Sequence, residues 1–326
     1  MTHLSAAWRQ VPATTRRQGL VAAVCAALVL LWRFGICPAA TADALVRYGG
    51  YYLEAATFGL FAWFAVREMS RAWHGWGGLR AHRWGVATIL AAAIFLQVHE
   101  PHAYKVLDDE YEIGAVSQNL HFQRQAAMPE EMHALDGVPT LMGGIVDKRP
   151  IAYSFLVATV HDLTGYRPAN AWMVNGVLAA VLLALVYATG VAWGGVRTGL
   201  VGVLLLAGLP LLAQNATGAG FDLLNMVMLA AVFLAAVHYL NGREARGLEL
   251  LVFATVVLAG VRYESLLYLL ALPVLVGLRW WRDDGAARLS WWVAGAPLLL
   301  VLPLAIQQVY ESNDMFFQTS RGDFLN

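Results

Sequence analysis

Long stretches of this chain carry no charged side chain, and this feature constrains the fold more than any other. Residues 174–190, 200–213 and 298–306 are three such runs. In lipid, every backbone N–H and C=O group must be paired within the protein, so these runs are expected to be helices. The chain is 59% apolar and 13% charged, whereas a soluble domain is about half apolar and about a quarter charged. The sequence therefore predicts an all-α, polytopic membrane protein.

Nine membrane segments can be placed along the chain. A helix needs about 20 mostly apolar residues to cross the hydrocarbon core, and most of the segments reach that length. Arg262 alone separates the seventh segment from the eighth, which predicts a tight reversal or a broken helix at this point. The predicted segments are 18–36, 49–66, 84–98, 171–193, 198–214, 221–239, 247–261, 263–279 and 290–309.

The positions of arginine predict that the N-terminus lies inside, because basic residues are retained in cytoplasmic loops. With this orientation, every inner connection carries at least one arginine. The first segment is interpreted as an uncleaved anchor, and a cleaved secretory signal is the alternative. The balanced formal charge gives no indication of nucleic-acid binding. The predicted organisation is an N-terminal anchor pair with a cytoplasmic loop (1–83), a membrane core (84–310) with one large outer loop (99–170), and an outer tail (311–326).

Three consecutive carboxylates, Asp108, Asp109 and Glu110, stand out in the outer loop. Like charges packed together raise at least one pKa, which suits a general base or a cation site. The alternative is a solvated charge run or the first turn of a helix, where acidic residues are favoured. Residues 113–120, directly after the acids, are predicted to form a short amphipathic helix.

Two adjacent bases, Lys148 and Arg149, precede Pro150 near the end of the same loop. The following residues, 151–160, are apolar along one side but too short to span, so a helix in the outer membrane interface is predicted. The two cations are suited to a phosphate group. Anchoring of the interfacial helix by its basic residues is the alternative, and both interpretations remain open.

A further acid, Asp222, lies at the predicted outer mouth of the sixth segment. An ionisable group at this boundary is a candidate functional residue, and the competing interpretation is a helix N-cap. Arg262 is also predicted on the outer side, where it could simply pair with Glu264. The topology nevertheless places five charged residues at one membrane face and so predicts a common pocket there. These residues are Asp109, Lys148, Arg149, Asp222 and Arg262.

Four short motifs occur in a fixed order: Leu-Asp-Asp-Glu-Tyr at 107–111, Lys-Arg-Pro-Ile-Ala-Tyr at 148–153, residues 163–171 leading into a membrane segment, and Phe-Asp-Leu-Leu at 221–224. This ordered set resembles the lipid-dependent glycosyltransferases of the C-type membrane fold, in particular the branch of protein mannosyltransferases and aminoarabinose transferases. The resemblance covers about residues 84–310. Many members have Thr-Lys-Gly between two membrane helices, whereas this chain has Arg262 in that region.

The resemblance implies an enzyme that moves a sugar from a polyprenyl-phosphate carrier to an acceptor on the outer face of an inner or plasma membrane. It implies that Asp109 is the catalytic base, with Asp108 the less favoured choice, and that Glu110 orients the acceptor or a cation. Lys148 and Arg149 would neutralise the departing phosphate. The other substrate-binding residues implied by the resemblance are Tyr111, Asp222 and Arg262.

The resemblance also leaves several expectations about ligands and alternatives. Asp109 and Asp222 could hold a divalent cation, Mg or Mn, together with phosphate oxygens. The expected partners are the lipid-linked sugar and membrane lipids, with no nucleic acid. Two other functions remain open: a transporter, for which Glu54 is the main charged residue inside a segment, and a homologue that binds the lipid-linked sugar without turnover.

Overall fold

The computed structural model describes residues 12–73, 81–135, 138–242, 247–282 and 289–312. These ranges are predominantly helical, which confirms the predicted helical character of the fold. The helices are α1 (Ala13–Leu31), α2 (Ala39–Ala44), α3 (Gly50–Trp73), α4 (Arg83–His99), α5 (Leu107–Gln123), α6 (Ala152–Thr164), α7 (Ala169–Ala207), α8 (Pro210–Thr217), α9 (Asp222–Asn241), α10 (Leu248–Ala259), α11 (Ala271–Arg282), α12 (Trp291–Gly295) and α13 (Val301–Ser312).

Several shorter elements complete the described fold. Single π-helical turns follow α1 and α2, and 3-10 segments precede α11 and α13. One antiparallel hairpin, which the sequence patterns did not predict, joins β1 (Glu131–Leu135) to β2 (Val138–Met142). The predicted outer tail lies outside the described residues beyond Ser312, as does the middle of the predicted inner loop, residues 74–80.

Five helical stretches within the described ranges are long and apolar enough to cross a membrane. Within their most apolar windows, only 6% to 39% of the residues are buried inside the protein. Apolar side chains exposed on this scale are expected for a lipid-facing surface and not for a water-facing one. The chain is therefore compatible with a membrane protein, while the count of nine spans stays a prediction. The five stretches are Ala13–Ile36, Ala169–Ala207, Asp222–Asn241, Tyr263–Arg282 and Trp291–Glu311.

The longest of these stretches, α7, is two helices that pack against each other. Gly195 leaves the helical conformation with φ 82° and ψ −176°, a backbone geometry that glycine adopts without steric cost. A Cβ placed on Gly190 would lie 2.6 Å from the Cα of Gly199, whereas a straight helix would separate these residues by roughly 13 Å. The chain therefore reverses at Gly195, between the fourth and fifth predicted segments.

The predicted interruption around Arg262 is also present. Helix α10 ends at Ala259, Arg262 is extended with φ −142° and ψ 150°, and a 3-10 segment starts at Tyr263. Gly247, before α10, lies against His238 near the end of α9, Arg262 pairs with Asp222 at the start of α9, and Arg279 donates to the Gly242 carbonyl beyond its end. The chain therefore doubles back at Arg262, and of the two predicted alternatives the tight reversal is the one present. It also carries the Arg262 side chain to the end of the bundle where α9 begins.

The two helices of the predicted outer loop are parts of the core. Helix α5 starts at Leu107, well before the amphipathic helix that the sequence predicted. Helix α6 packs on α5, and its Tyr153 and Val157 belong to the largest apolar cluster while Phe155 belongs to a second one. Where α6 lies relative to a membrane stays a prediction, but its packing is that of a central element. The functional site described below is built around α5 and α6.

Candidate functional site

The three consecutive acids occupy the first turn of α5, as the helix-start interpretation predicted. Negative charge is favourable there because the first N–H groups of a helix have no intrahelical acceptor. Successive helical residues point in different directions, so the three carboxylates have different surroundings. Asp108 is exposed, the Asp109 side chain is 48% exposed, and Glu110 is buried at 4%. The acidic run is therefore three separate groups and not one cluster.

Asp109 and Asp222 line one cavity of about 220 Å³, although they come from distant parts of the chain. We call this space the acidic cavity. It lies where the first turn of α5 faces the start of α9 and the end of α8. Its polar lining residues are Lys105, Asp109, Glu110, Gln214, Asn215 and Asp222.

Arg149 lies behind Asp109 and is almost fully buried. Its guanidinium donates to the carboxylates of Asp109 and Glu112, and it also donates to Asp147 at 3.1 Å. Burial alone would lower the pKa of Arg149, but the neighbouring carboxylates outweigh burial and raise it. Burial raises the pKa of Asp147, whose side chain is as enclosed as that of the arginine.

The phosphate binding that the resemblance implies for Arg149 stays a prediction, and these contacts show how the side chain is already paired. Its Nη1 and Nη2 already pair with three carboxylates, one of which is the candidate base, Asp109. A guanidinium in this arrangement holds the side chains around it in a fixed geometry. The arrangement therefore makes Arg149 a positioning residue for Asp109.

The adjacent Lys148 is exposed, and it makes no hydrogen bond or ion pair with the residues that the structure describes. Its ammonium group is therefore available to an anionic ligand. A second cation, Lys105, lines the acidic cavity, where its Nζ donates to the Pro101 carbonyl at 2.8 Å and lies 3.8 Å from Glu100. Sequence reasoning missed Lys105 because nothing but its proximity to the acids marks it.

Asp222, which lines the acidic cavity, pairs with Arg262. The Arg262 Nη1 donates to Asp222 Oδ1 at 2.7 Å, and its Nε lies 3.4 Å from Glu264, so the predicted alternative pair also forms. Asp222 is the first residue of α9, its N-cap is Phe221, and no side-chain capping bond is made. The N-cap interpretation of Asp222 is therefore wrong, because this carboxylate is directed to Arg262.

Glu110 connects α5 to the loop that precedes α9 through hydrogen bonds. Its Oε2 accepts a bond from the Lys105 backbone N–H at 2.7 Å, and the backbone N–H of Ala219 also stabilises the carboxylate. A Cβ on Gly218 would lie 3.0 Å from Glu110 Oε1, so the loop approaches as closely as glycine permits. Burial raises the pKa of Glu110, and the backbone donors partly offset this rise.

Asn175 of α7 holds the same loop from the other side. Its side-chain amide donates to the carbonyls of Gly218 at 2.9 Å and Gly220 at 3.0 Å. Asn175 is fully buried, so these bonds satisfy backbone groups that water cannot reach. Together with Glu110, it sets the position of the first turn of α9 and hence of Asp222.

The residues that were expected to hold a divalent cation do not fit one well in this arrangement. Asp109 Oδ1 pairs with Arg149 and Asp222 Oδ1 pairs with Arg262, so a cation on the remaining carboxylate oxygens would lie beside two guanidinium groups. Within the described ranges, no group of three or more His, Cys, Asp or Glu side chains is arranged to hold a metal ion. The divalent cation stays a prediction.

A second cavity, of about 170 Å³, adjoins the first. We call it the aromatic cavity. Glu110 and Ile113 line both spaces, so these two side chains stand between them. Of the aromatic residues in this cavity, Tyr111 is the one to which the resemblance assigned substrate binding. The other rings come from separate segments, and no local sequence pattern connects them. The ring-bearing residues of the aromatic cavity are Tyr104, Tyr111, Tyr153, His161 and Tyr166.

His161 is buried at 2% and lies between Ser117 and Asn170. The Asn170 amide donates to Gly165 O at 3.0 Å, which fixes its NH₂ orientation, and the same nitrogen lies 2.8 Å from His161 Nδ1. The Nδ1 atom therefore accepts, so the ring proton is on Nε2, 3.4 Å from the Ser117 hydroxyl. The Ser117 hydroxyl itself donates to the Gly114 carbonyl at 2.7 Å, so with this tautomer its proton is not directed to His161.

We expect His161 to make the fold sensitive to acid. Burial lowers its pKa to about 4 from an ordinary 6.5, with a smaller contribution from His121 and opposition from Asp162. A depressed histidine pKa contributes stability that is complete above pH 6.5 and is lost as the pH falls towards 4, up to about 3 kcal/mol. Unfolding free energies of the purified protein between pH 7.5 and 4.5 will show this loss.

The matched variants for this prediction are His161→Gln and His133→Gln. His161→Gln is expected to lose less stability over this pH range than the unsubstituted chain. His133 lies on β1 with a side chain that is 56% exposed, so His133→Gln should keep the full acid sensitivity. An identical pH slope in the unsubstituted chain and His161→Gln would contradict the assignment.

Comparison with known proteins adds no relative to this description. No protein-family model, curated protein or solved structure matches the chain. The geometry of the two cavities and the ordered motifs are therefore the observations from which a function can be inferred.

Proposed function

We propose that this chain is a membrane glycosyltransferase that moves a sugar from a polyprenyl-phosphate carrier to an acceptor on the outer side of the membrane. The observation that carries this proposal is the acidic cavity, where Asp109 and Asp222 meet among apolar helices. Carboxylates that converge in a cavity, with cations beside them, are suited to proton removal and to binding an anionic group.

Asp109 is the proposed general base. Its Oδ1 is engaged by Arg149, which orients the carboxylate and leaves Oδ2 for the acceptor. Oδ2 takes the proton of an acceptor hydroxyl while that oxygen forms a bond to the anomeric carbon of the sugar. The bond from this carbon to the carrier phosphate breaks at the same time, and its electron pair leaves with the phosphate. Attack from the side opposite the phosphate inverts the anomeric configuration.

Lys148 and Lys105 are the proposed partners of the departing phosphate. Lys148 is exposed, and Lys105 lines the acidic cavity beside Asp109. Negative charge develops on the phosphate oxygens as the sugar leaves, and fixed cations stabilise that charge. Asp222 and Arg262, held by their mutual ion pair, would bind acceptor hydroxyls at the other side of the cavity.

An apolar groove of about 560 Å³ between α4 and the second half of α7 supports a lipid substrate. Trp84, Phe95 and Leu204 line the groove, and so does Gly208. Leu211, three residues after Gly208, lines the acidic cavity. A prenyl chain in this groove would therefore have its phosphate end close to the acidic cavity.

The test is incubation of the purified protein in lipid nanodiscs with polyprenyl-phosphate sugars that carry a radiolabel. We expect the label to leave the carrier and to appear on an added acceptor. Carrier binding without release of label would instead support a non-catalytic homologue. Solute flux across vesicles without any release would favour a transporter, in which the buried Glu54 of α3 would be the residue to examine.

A further inference from the structure

The aromatic cavity has two aromatic walls. The rings of Tyr104 and Tyr111 form one pair, with centroids 4.9 Å apart, and those of His161 and Tyr166 form another at the same separation. Ring faces offer a flat apolar surface, and each tyrosine adds a polar hydroxyl at its end. A ligand suited to these walls has one apolar face and a rim of hydroxyl groups.

The polar groups at the rim are neutral hydrogen-bonding groups. Burial raises the pKa of Tyr104 and of Tyr166, so both phenols keep their protons at physiological pH and can donate. Gln118, whose side chain is an uncharged amide, also lines the cavity. His161, with a pKa lowered to about 4 mainly by burial, is uncharged near pH 7.

The charge of the lining excludes anionic ligands. Among the described residues that line the aromatic cavity, Glu110 is the one acid, and no lysine or arginine is present. A phosphate or carboxylate placed here would meet a carboxylate and find no cation, so its desolvation would go uncompensated. The acidic cavity next to it differs in this respect because Lys105 lines it. The two cavities are therefore suited to ligands of different charge.

The position of the aromatic cavity connects it to the proposed chemistry. Glu110 and Ile113 line both cavities, and Asp109 precedes Glu110 in the chain and lines the acidic one. A sugar ring in the aromatic cavity would have a hydroxyl close to this boundary. The volume of about 170 Å³ limits the occupant to roughly a single ring.

We propose that the aromatic cavity binds a neutral pyranose, so that the acceptor is a carbohydrate and not an anionic lipid headgroup. The role as acceptor rests on the proposed transferase function, whereas sugar binding can be measured without any donor. Tyr111 is the residue to substitute, because its ring faces the cavity while the residue is 62% exposed, so the fold should tolerate the change.

The experiment titrates the purified protein in nanodiscs with methyl pyranosides of glucose, mannose and galactose, followed by saturation-transfer NMR. At least one neutral glycoside should bind, and the matching methyl uronosides, which carry a carboxylate, should bind at least about tenfold more weakly. Tyr111→Ala should weaken the neutral ligand about tenfold, corresponding to about 1.4 kcal/mol. Tyr48→Ala, a substitution of a similarly exposed tyrosine outside the cavity, should leave binding unchanged.

Three results would overturn the inference: no neutral glycoside binds, a uronoside binds as tightly as its neutral match, or Tyr48→Ala weakens binding as much as Tyr111→Ala. Its failure can be told apart from failure of the transferase proposal. Release of sugar from the carrier without glycoside binding would remove only the acceptor site. Glycoside binding that depends on Tyr111, without any release from the carrier, would remove only the transferase.

Discussion

Replacing Asp109 with asparagine should lower the rate of sugar transfer by about 10²–10⁴-fold, the usual contribution of a positioned general base. The amide of asparagine has nearly the same shape as the carboxylate and can still accept a bond from Arg149, but it cannot take the acceptor proton. In the native protein, the contact with Arg149 holds the Asp109 side chain at the acidic cavity. Asparagine can keep this contact, so the variant should fold. Single-turnover release of label from the carrier measures the effect.

Two further carboxylate substitutions make this result specific. Asp43→Asn removes a carboxylate that pairs with Arg47 at 3.5 Å and does not line the acidic cavity, so transfer should continue at the native rate. Asp108→Asn tests the alternative base. If it lowers the rate of sugar transfer as much as Asp109→Asn does, the role of general base can no longer be assigned to Asp109 alone. Full activity in well-folded Asp109→Asn would remove the proposed mechanism.

Replacing Arg149 with methionine should destabilise the protein by about 3–5 kcal/mol, the usual effect of removing one partner of a buried ion pair. Methionine fills a similar volume, so the loss arises mainly from charge. The carboxylates of Asp109, Glu112 and Asp147 would lose their shared cation, and Asp147 is as enclosed as the arginine itself, with a side chain that is 8% exposed. Equilibrium unfolding in detergent measures the change.

Lys148→Met is the matched control, because it removes a cation from the neighbouring position. Lys148 is exposed and pairs with none of the described residues, so its substitution should change stability by less than about 0.5 kcal/mol. We expect this variant to bind the lipid-linked sugar more weakly, since Lys148 is the proposed phosphate partner. Equal destabilisation by the two substitutions would mean that the carboxylates around Arg149 do not depend on its charge.

The difference between Lys148 and Arg149 shows what could not be predicted from the sequence. The two bases are adjacent, and nothing in their local pattern distinguishes a phosphate ligand from a buried positioning residue. Arg149 is a buried, paired side chain because Glu112 and Asp147 bind it, and no pattern in the sequence marked these two acids. Ion pairs across α5 and the segment before α6 depend on how those elements pack, and this packing is a property of the whole chain.

The tyrosines of the aromatic cavity were unpredictable for a similar reason. The resemblance identified Tyr111. Tyr104 and Tyr166 lie in loops, and Tyr153 lies on a mostly apolar helix, so none of these three could be recognised as a cavity residue from its local sequence. A ring in an apolar segment gives the same local signal whether it fills the core or lines a cavity. Only the packing of α5 against α6 distinguishes the two outcomes.

The sequence by itself determined the helical character of the chain, the interruption between two apolar stretches at Arg262 and the existence of apolar stretches able to cross a membrane. These properties follow from hydropathy and backbone hydrogen bonding, which act over one or two turns of helix. The tertiary structure alone decided that α6 is central, that Asp109 and Asp222 line one cavity, and that Arg149 is already paired. Contacts between residues far apart in the chain depend on the packing of entire helices, and local patterns carry no record of that packing.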